Sequence, residues 1–130
     1  MTAGLHPANT AHQWLNWIRG TATTAPSGTF VKLHTGDPGS AGTSNASGTT
    51  TRPAVTFSAA SAGAIAMSGT APSWATWAAG NETITHISVW DASSAGNFLF
   101  SIALTASKAM TNGDTLTLST LGVSLTPLAA

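Results

Sequence analysis

The fold is constrained most strongly by a series of short apolar segments that are separated by turns. In these segments apolar residues alternate with polar ones, or β-branched side chains are frequent. In Asn97–Thr105 (NFLFSIALT), Phe98, Phe100, Ile102 and Leu104 fall on one face with a period of two residues, as expected for a strand with one buried face. Six further segments are predicted as strands: Thr29–His34, Ala54–Phe57, Ala64–Met67, Thr83–Asp91, Thr115–Leu118 and Val123–Leu125. About seven short strands at regular spacing are typical of an antiparallel sandwich or barrel. We expect an all-β fold, specifically an antiparallel β-sandwich.

One α-helix is predicted near the N-terminus. Pro7 suits the first turn of a helix and Gly20 suits the position just past its end. His6, Asn9 or Thr10 could serve as the N-cap. The apolar face of this helix consists of four residues at helical spacing: Trp14, Leu15, Trp17 and Ile18. We expect this face to be an assembly contact that docks onto protein, either the chain's own sandwich or a neighbouring subunit.

A long connection without helix or strand pattern follows the first predicted strand. Thr35–Pro53 is rich in Gly, Ser and Thr, and it exceeds the ~12–15 residues that loops in compact domains rarely pass. Asp37 and Pro38 favour a turn, because proline presets φ and aspartate bonds its own backbone. We expect neighbouring subunits to order the tract Ser40–Thr51. Asp37, Pro38 and Arg52 are therefore candidate assembly contacts.

The predicted elements also suggest a domain organisation. Residues 1–27 form an N-terminal helical arm, and residues 28–130 form the β-sandwich domain with the long loop at 35–53. The last predicted strand ends before Pro127.

The charge content restricts the classes of partner. Charged residues make up 6% of the chain and the formal net charge is +0, whereas globular domains carry ~25% charged residues. Nucleic acids and anionic membranes need a basic surface, so neither is an expected partner. A weakly charged chain also has little colloidal protection as a free monomer, which favours a surface that faces other protein.

No pattern typical of an enzyme, a metal site or a cofactor site is evident. There is no cysteine and no G-x-S-x-G motif, and the four acidic residues show no paired spacing of the kind that glycoside hydrolysis requires. His34 and His86 lie on different predicted strands, and the fold could bring them together with Asp37 or Asp91, but no H-x-H or H-E-x-x-H spacing supports this. We predict no catalytic residue, no metal ion and no cofactor.

Five tryptophans raise the alternative of a carbohydrate-binding surface, because aromatic rings can stack on sugars. Trp74 and Trp77 are three residues apart in PSWATWAAGN, which is predicted to be a turn or loop. These two residues are the candidate glycan contacts, provided that their rings are exposed.

Several segments together resemble a known protein family. The matching segments are FVKLHTGDPG, TTTRPAVTF and SVWDASSAG, within residues Phe30 to Leu125. They resemble the pattern L-H-T-x-D-P-G…R-x-x-V-x-F…W-D-A…G of the small virion proteins of actinobacterial tailed phages, which are commonly labelled minor tail, tail-fibre or head decoration proteins. Thr50-Thr51-Arg52 stands where that family often has Gly-Tyr-x-Arg. The resemblance implies a β-sandwich that assembles on a virion and performs no catalysis.

These observations define two placements on the particle. We expect a head decoration or minor capsid protein that binds the major capsid protein and copies of itself, as a trimer, and that reinforces the shell. The short chain, without a coiled coil or repetitive shaft, favours this placement. The alternative is a minor tail or tail-fibre protein at the tail tip, with tail proteins and the host surface as partners. Either protein would be found in the virion, after assembly in the bacterial host cytoplasm.

Overall fold

Within the described residues, the chain folds into eight strands and one N-terminal helical segment. The computed structural model describes residues 3–125. A π-helical turn, Pro7–Ala11, leads into α1 at His12–Ile18. The strands are β1 Phe30–His34, β2 Thr56–Phe57, β3 Ala64–Ser68, β4 Ser73–Trp74, β5 Glu82–Trp90, β6 Phe98–Met110, β7 Leu116–Thr117 and β8 Gly122–Ser124. All seven predicted strands are confirmed, while β4 and the second half of β6 were not predicted.

Three small antiparallel sheets make up the all-β, sandwich-like architecture. Their strand orders are β1-β5-β6, β2-β3-β8 and β4-β7. Strand β5 is central in the first sheet and pairs with β1 from Phe30↔Trp90 to His34↔His86. Its pairing with β6 shifts register between Ile84 and His86, and again between Val89 and Trp90. Such irregularities re-aim side chains locally.

The core lies between these sheets. In β1 and β5, alternate residues such as Val31, Leu33, Ile87 and Val89 are almost completely buried and belong to one apolar cluster. That cluster also includes Val55, Trp74, Trp77, Ile84, Leu99, Phe100, Met110 and Leu121. Because side chains alternate along a strand, Lys32, His34, Ser88 and Trp90 fall on the opposite face of the first sheet, where the loop at 35–53 covers them.

The N-terminal segment is attached to the start of β6. The His6 N–H donates to the Leu99 carbonyl at 2.8 Å, and the Asn9 side chain donates to the Phe98 carbonyl at 2.9 Å. The Thr10 hydroxyl donates to the Leu99 carbonyl at 2.6 Å. His6, one of the three candidate N-caps, caps the π-helical turn, since its Nδ1 accepts the Asn9 N–H at 3.1 Å. The predicted single helix is therefore a π-helical turn followed by a short α-helix.

Pro127 and the C-terminal end of the predicted sandwich domain lie outside the described residues, as do the first two residues of the predicted arm.

Candidate assembly surfaces and the Trp90 cluster

The segment after β5 folds into a tight turn that explains the W-D-A…G pattern. The Asp91 carboxylate accepts the Asn97 backbone N–H at 2.6 Å and the Asn97 side-chain amide at 2.8 Å. Gly96 has φ +75° in this turn, and a Cβ there would lie 2.5 Å from Asp91 Oδ1. The glycine is therefore required both for its positive φ and for the close approach of the carboxylate.

Arg52 binds this turn within the same chain. Its Nη1 donates to the Ala95 carbonyl at 2.8 Å and to the Ala92 carbonyl at 3.4 Å. The guanidinium carbon lies 4.3 Å from the centre of the Trp90 ring, a cation–π geometry. Burial lowers the pKa of Arg52 from its ordinary value, although a guanidinium stays charged at neutral pH. Arg52, a predicted assembly contact, thus joins the loop to the end of β5.

A hydrogen-bonded chain runs from Trp90 to the loop. Trp90 Nε1 donates to Ser88 Oγ at 2.8 Å, and Ser88 Oγ lies 2.7 Å from His34 Nε2. His34 Nδ1 lies 2.9 Å from the Ser44 carbonyl oxygen. Because that carbonyl can only accept, Nδ1 carries the proton and Nε2 accepts from the serine hydroxyl. A neutral imidazole therefore satisfies every group in the chain.

Burial is the main cause that lowers the pKa of His34 to about 4, and the nearby positive charge of Lys32 acts in the same direction. The hydrogen bond to the Ser44 carbonyl raises the pKa but does not offset the burial. His34 is thus a structural, neutral histidine at neutral pH.

The long loop is held by contacts within its own domain. The Gly39 N–H donates to Asp37 Oδ1 at 2.8 Å, Pro38 is fully buried, and the Ser47 hydroxyl donates to Glu82 Oε1 at 2.6 Å. Gly42 packs against the Phe98 ring so closely that a Cβ would lie 2.6 Å from two ring carbons. These contacts correct the expectation that neighbouring subunits order the tract Ser40–Thr51, because its own domain does so.

The two candidate glycan contacts belong to the core. Trp74 is 4% exposed and Trp77 is 3% exposed. Their indole N–H groups donate to the Thr51 carbonyl at 3.0 Å and the Gly80 carbonyl at 3.1 Å. The structure corrects the interpretation of these residues as a stacking platform, because neither ring offers a free face to a sugar.

The histidines and acids do not converge on a metal site. His34 and His86 are direct partners in the β1–β5 register, as the sequence allowed. However, within residues 3–125 no group of three or more His, Cys, Asp or Glu side chains could hold a metal ion. Both nitrogens of His34 are already hydrogen-bonded, and Asp91 binds its own turn.

The predicted apolar face of α1 is exposed. Trp14 is 37% exposed, Leu15 61%, and Trp17 and Ile18 are each 73% exposed. The chain's own sandwich therefore does not bury this face, and its docking onto a neighbouring protein chain stays a prediction. An exposed apolar patch of this kind marks an interaction surface.

A groove on the sandwich is a surface feature that the sequence did not indicate. It has a volume of about 670 Å³ and lies between β6 and the segment from Thr115 to Gly122. Its lining mixes apolar residues such as Ile102 and Leu118 with polar ones such as Thr105, Lys108 and Thr117. Its lining comes from distant parts of the chain, so no local sequence pattern could reveal it.

Ser44, Ser88 and Glu82 were also missed as structural partners. Alternation along β5 places Ser88 on the same face as Trp90, and this is a signal that the sequence does contain. Ser44 and Glu82 bind His34 and Ser47, and both contacts depend on the path of the loop at 35–53. That path cannot be derived from residue spacing.

The chain is thus a β-rich domain with an exposed apolar helix face. The side chains of the pattern L-H-T-x-D-P-G…R…W-D-A…G hold its loop and the turn after β5 by hydrogen bonds. In the described part of the chain, no helix is long and apolar enough to cross a membrane. The family model described as "Podophage GP4 fiber I protein gp80" matches residues 8–126, and the chain belongs to that family. It is therefore a structural, fibre-type protein of a bacteriophage virion. No curated protein matches the chain.

Proposed function

We propose that this chain is a non-enzymatic structural subunit of the tail-fibre apparatus of a short-tailed phage. The family match supports the fibre alternative better than the head-decoration placement. The observation that carries an assembly role is the exposed apolar face of α1, with Trp17 and Ile18 each 73% exposed. A side chain of this kind gains free energy only when another surface covers it.

The residues of the family motif support a structural role. The side chains of four of these residues are hydrogen-bonded within the chain. His34 and Arg52 bind the carbonyl groups of Ser44 and Ala95. Trp90 donates to the Ser88 hydroxyl and Asp91 accepts the Asn97 N–H. No buried side-chain nitrogen or oxygen among the described residues lacks a hydrogen-bond partner. A catalytic group normally keeps a polar atom available for substrate, whereas these residues use theirs to fix the loop and the turn.

The placement can be tested on purified particles of the phage that encodes this chain. Immunogold electron microscopy with antibodies against the chain should label the tail. Quantitative mass spectrometry should give a small copy number set by tail symmetry. Antibodies against the major capsid protein provide the matched control, since they should label only heads. Labelled heads with hundreds of copies per particle would instead establish head decoration and refute the proposed placement.

A further inference from the structure

We propose that the N-terminal arm is a releasable edge strand, which detaches from β6 as one unit while the sandwich stays folded. Residues 4–10, the docking segment, hold the arm on the outer edge of β6 by hydrogen bonds. Release carries α1 and its exposed apolar face away from the sandwich. The biological role of this motion rests on the proposed function, in which that face is an assembly contact.

Strand β6 is an edge of its sheet, and the docking segment covers the beginning of that edge. The strand order β1-β5-β6 gives β6 one strand neighbour. On its other side, Leu5 forms an antiparallel bridge with Phe100, and the Ser101 N–H donates to the Gly4 carbonyl at 2.8 Å. The docking segment thus pairs backbone groups that an edge strand otherwise presents to water or to another strand.

The arm buries little apolar surface where it docks. No residue of the π-helical turn or of α1 is buried, and Leu5 and Trp14 each remain 37% exposed. The arm is held mainly by the hydrogen bonds to β6. Because water can replace either partner at an exposed edge, such bonds add little net stability. A segment with few buried apolar contacts opens at a lower free energy than the core.

The core of the sandwich does not include the arm. Among the described residues, the buried apolar cluster has no member before Val31. Phe98 is the buried side chain that the docking segment touches, through an edge contact with His6 at 5.6 Å between ring centres. Phe98 also packs on Trp90 at 5.5 Å, so it keeps a ring partner when the arm leaves. Release therefore removes no member of the core.

The segment after α1 permits this motion. Residues 20–27 are all exposed, and within the described structure residues 22–26 form no hydrogen bond. The Ser27 hydroxyl donates to the Asp91 carbonyl at 2.9 Å and fixes the far end of the linker. When extended, residues 20–26 span up to roughly 25 Å. The apolar face of α1 can therefore reach surfaces that the docked arm cannot.

Hydrogen exchange of the purified full chain, followed by nuclear magnetic resonance, tests release. The contact amides, His6 N–H and Ser101 N–H, are hydrogen-bonded between the arm and β6. The core amide, Val31 N–H, donates to the Pro53 carbonyl at 3.0 Å. After correction for intrinsic rates, both contact amides should exchange about 100-fold or more faster than the core amide. Low urea should accelerate the core amide and hardly affect the contact amides, because release exposes little surface.

A core substitution shows whether the arm opens separately. Ile87→Val weakens the sandwich at a fully buried position and should accelerate exchange of the core amide about fivefold. The contact amides should keep their wild-type rates, because the docked and the released arm both leave the sandwich folded.

An arm substitution shows which contact holds the arm. Thr10→Val removes the hydroxyl that donates to the Leu99 carbonyl and should accelerate both contact amides together by about fivefold, as expected for one lost hydrogen bond. Thr23→Val is the matched control, since Thr23 is exposed in the linker, and should leave them unchanged.

Three results would overturn the inference: contact amides that exchange as slowly as the core amide, contact amides that Ile87→Val accelerates equally with the core amide, or contact amides that Thr10→Val leaves unchanged. The first two would show that the arm opens only when the whole domain unfolds. None of these results bears on where the chain lies in the particle, which the immunogold experiment decides. Failure of the inference and failure of the proposed function are therefore distinguishable.

Discussion

At the scale of single residues, the side chains of His34, Arg52 and Asp91 form hydrogen bonds to backbone groups of the loop and of the turn after β5. His34 shows this most clearly, because both of its ring nitrogens are hydrogen-bonded and burial lowers its pKa to about 4, so that the neutral imidazole makes these bonds at neutral pH. The histidine of the motif is therefore explained by two directed hydrogen bonds in a buried position, and it needs no ligand or reaction.

The buried neutral state of His34 predicts a pH-dependent stability. Its pKa in the folded chain is about 4, against an ordinary value of 6.5. Below pH 6.5 the unfolded chain binds a proton that the folded chain does not. The contribution of His34 to the free energy of unfolding should therefore be at its full value above pH 6.5. It should fall by up to about 1.4 kcal/mol per pH unit as the pH is lowered toward 4. Below pH 4 this contribution should stop changing.

Urea unfolding at several pH values between 7.5 and 4 measures this dependence. His34→Gln should lower stability at neutral pH and reduce the slope. His12→Gln, at an exposed helix position, is the control and should keep the wild-type slope. An unchanged slope in His34→Gln would show that another group causes the acid sensitivity.

At the scale of elements, the loop at 35–53 depends on Gly42 for its fit against Phe98. Gly42→Ala should destabilise the domain by about 2 kcal/mol or more, because it combines an unfavourable positive φ with overpacking against the ring. Gly113→Ala is the matched control, since Gly113 also has positive φ but a Cβ at that position would have no atom within 4 Å. Thermal unfolding of both variants separates the two effects. Equal losses would mean that Phe98 does not restrain the loop.

The elements also show which features a sequence can predict. Period-two alternation predicts the first half of β6, and β-branched residues predict β5, although both strands contain four consecutive buried residues and so bury both faces there. The pair Ser73–Trp74 was missed because two residues carry no period, and residues 106–110 were missed because their apolar side chains do not alternate with polar ones. The indole N–H of the buried Trp74 donates to the Thr51 carbonyl, 23 residues earlier in the chain. Such non-local partners, like the order of strands in a sheet, are not encoded in local spacing.

At the scale of the whole molecule, low charge and the exposed apolar face of α1 both bear on how the chain meets other protein. The four exposed side chains of that face would gain free energy if another surface covered them, and a formal net charge of +0 removes the long-range repulsion that keeps most soluble chains apart. Low charge thus leaves the free chain poorly protected in solution, and it also lowers the electrostatic barrier to close contact with another protein surface.

This combination predicts that self-association of the purified chain responds weakly to simple salt. Sodium chloride screens charges with a Debye length that falls to ~3 Å at 1 M, but the exposed apolar face of α1 consists of Trp14, Leu15, Trp17 and Ile18 and has no charged member. The dissociation constant from sedimentation should therefore change less than about threefold between 0.05 and 0.5 M sodium chloride. Sodium sulfate at equal ionic strength should tighten association, because excluded salts strengthen apolar burial. A tenfold weakening in sodium chloride would instead assign the contact to the chain's few charged side chains, with Arg19 at the end of α1 as the first residue to replace.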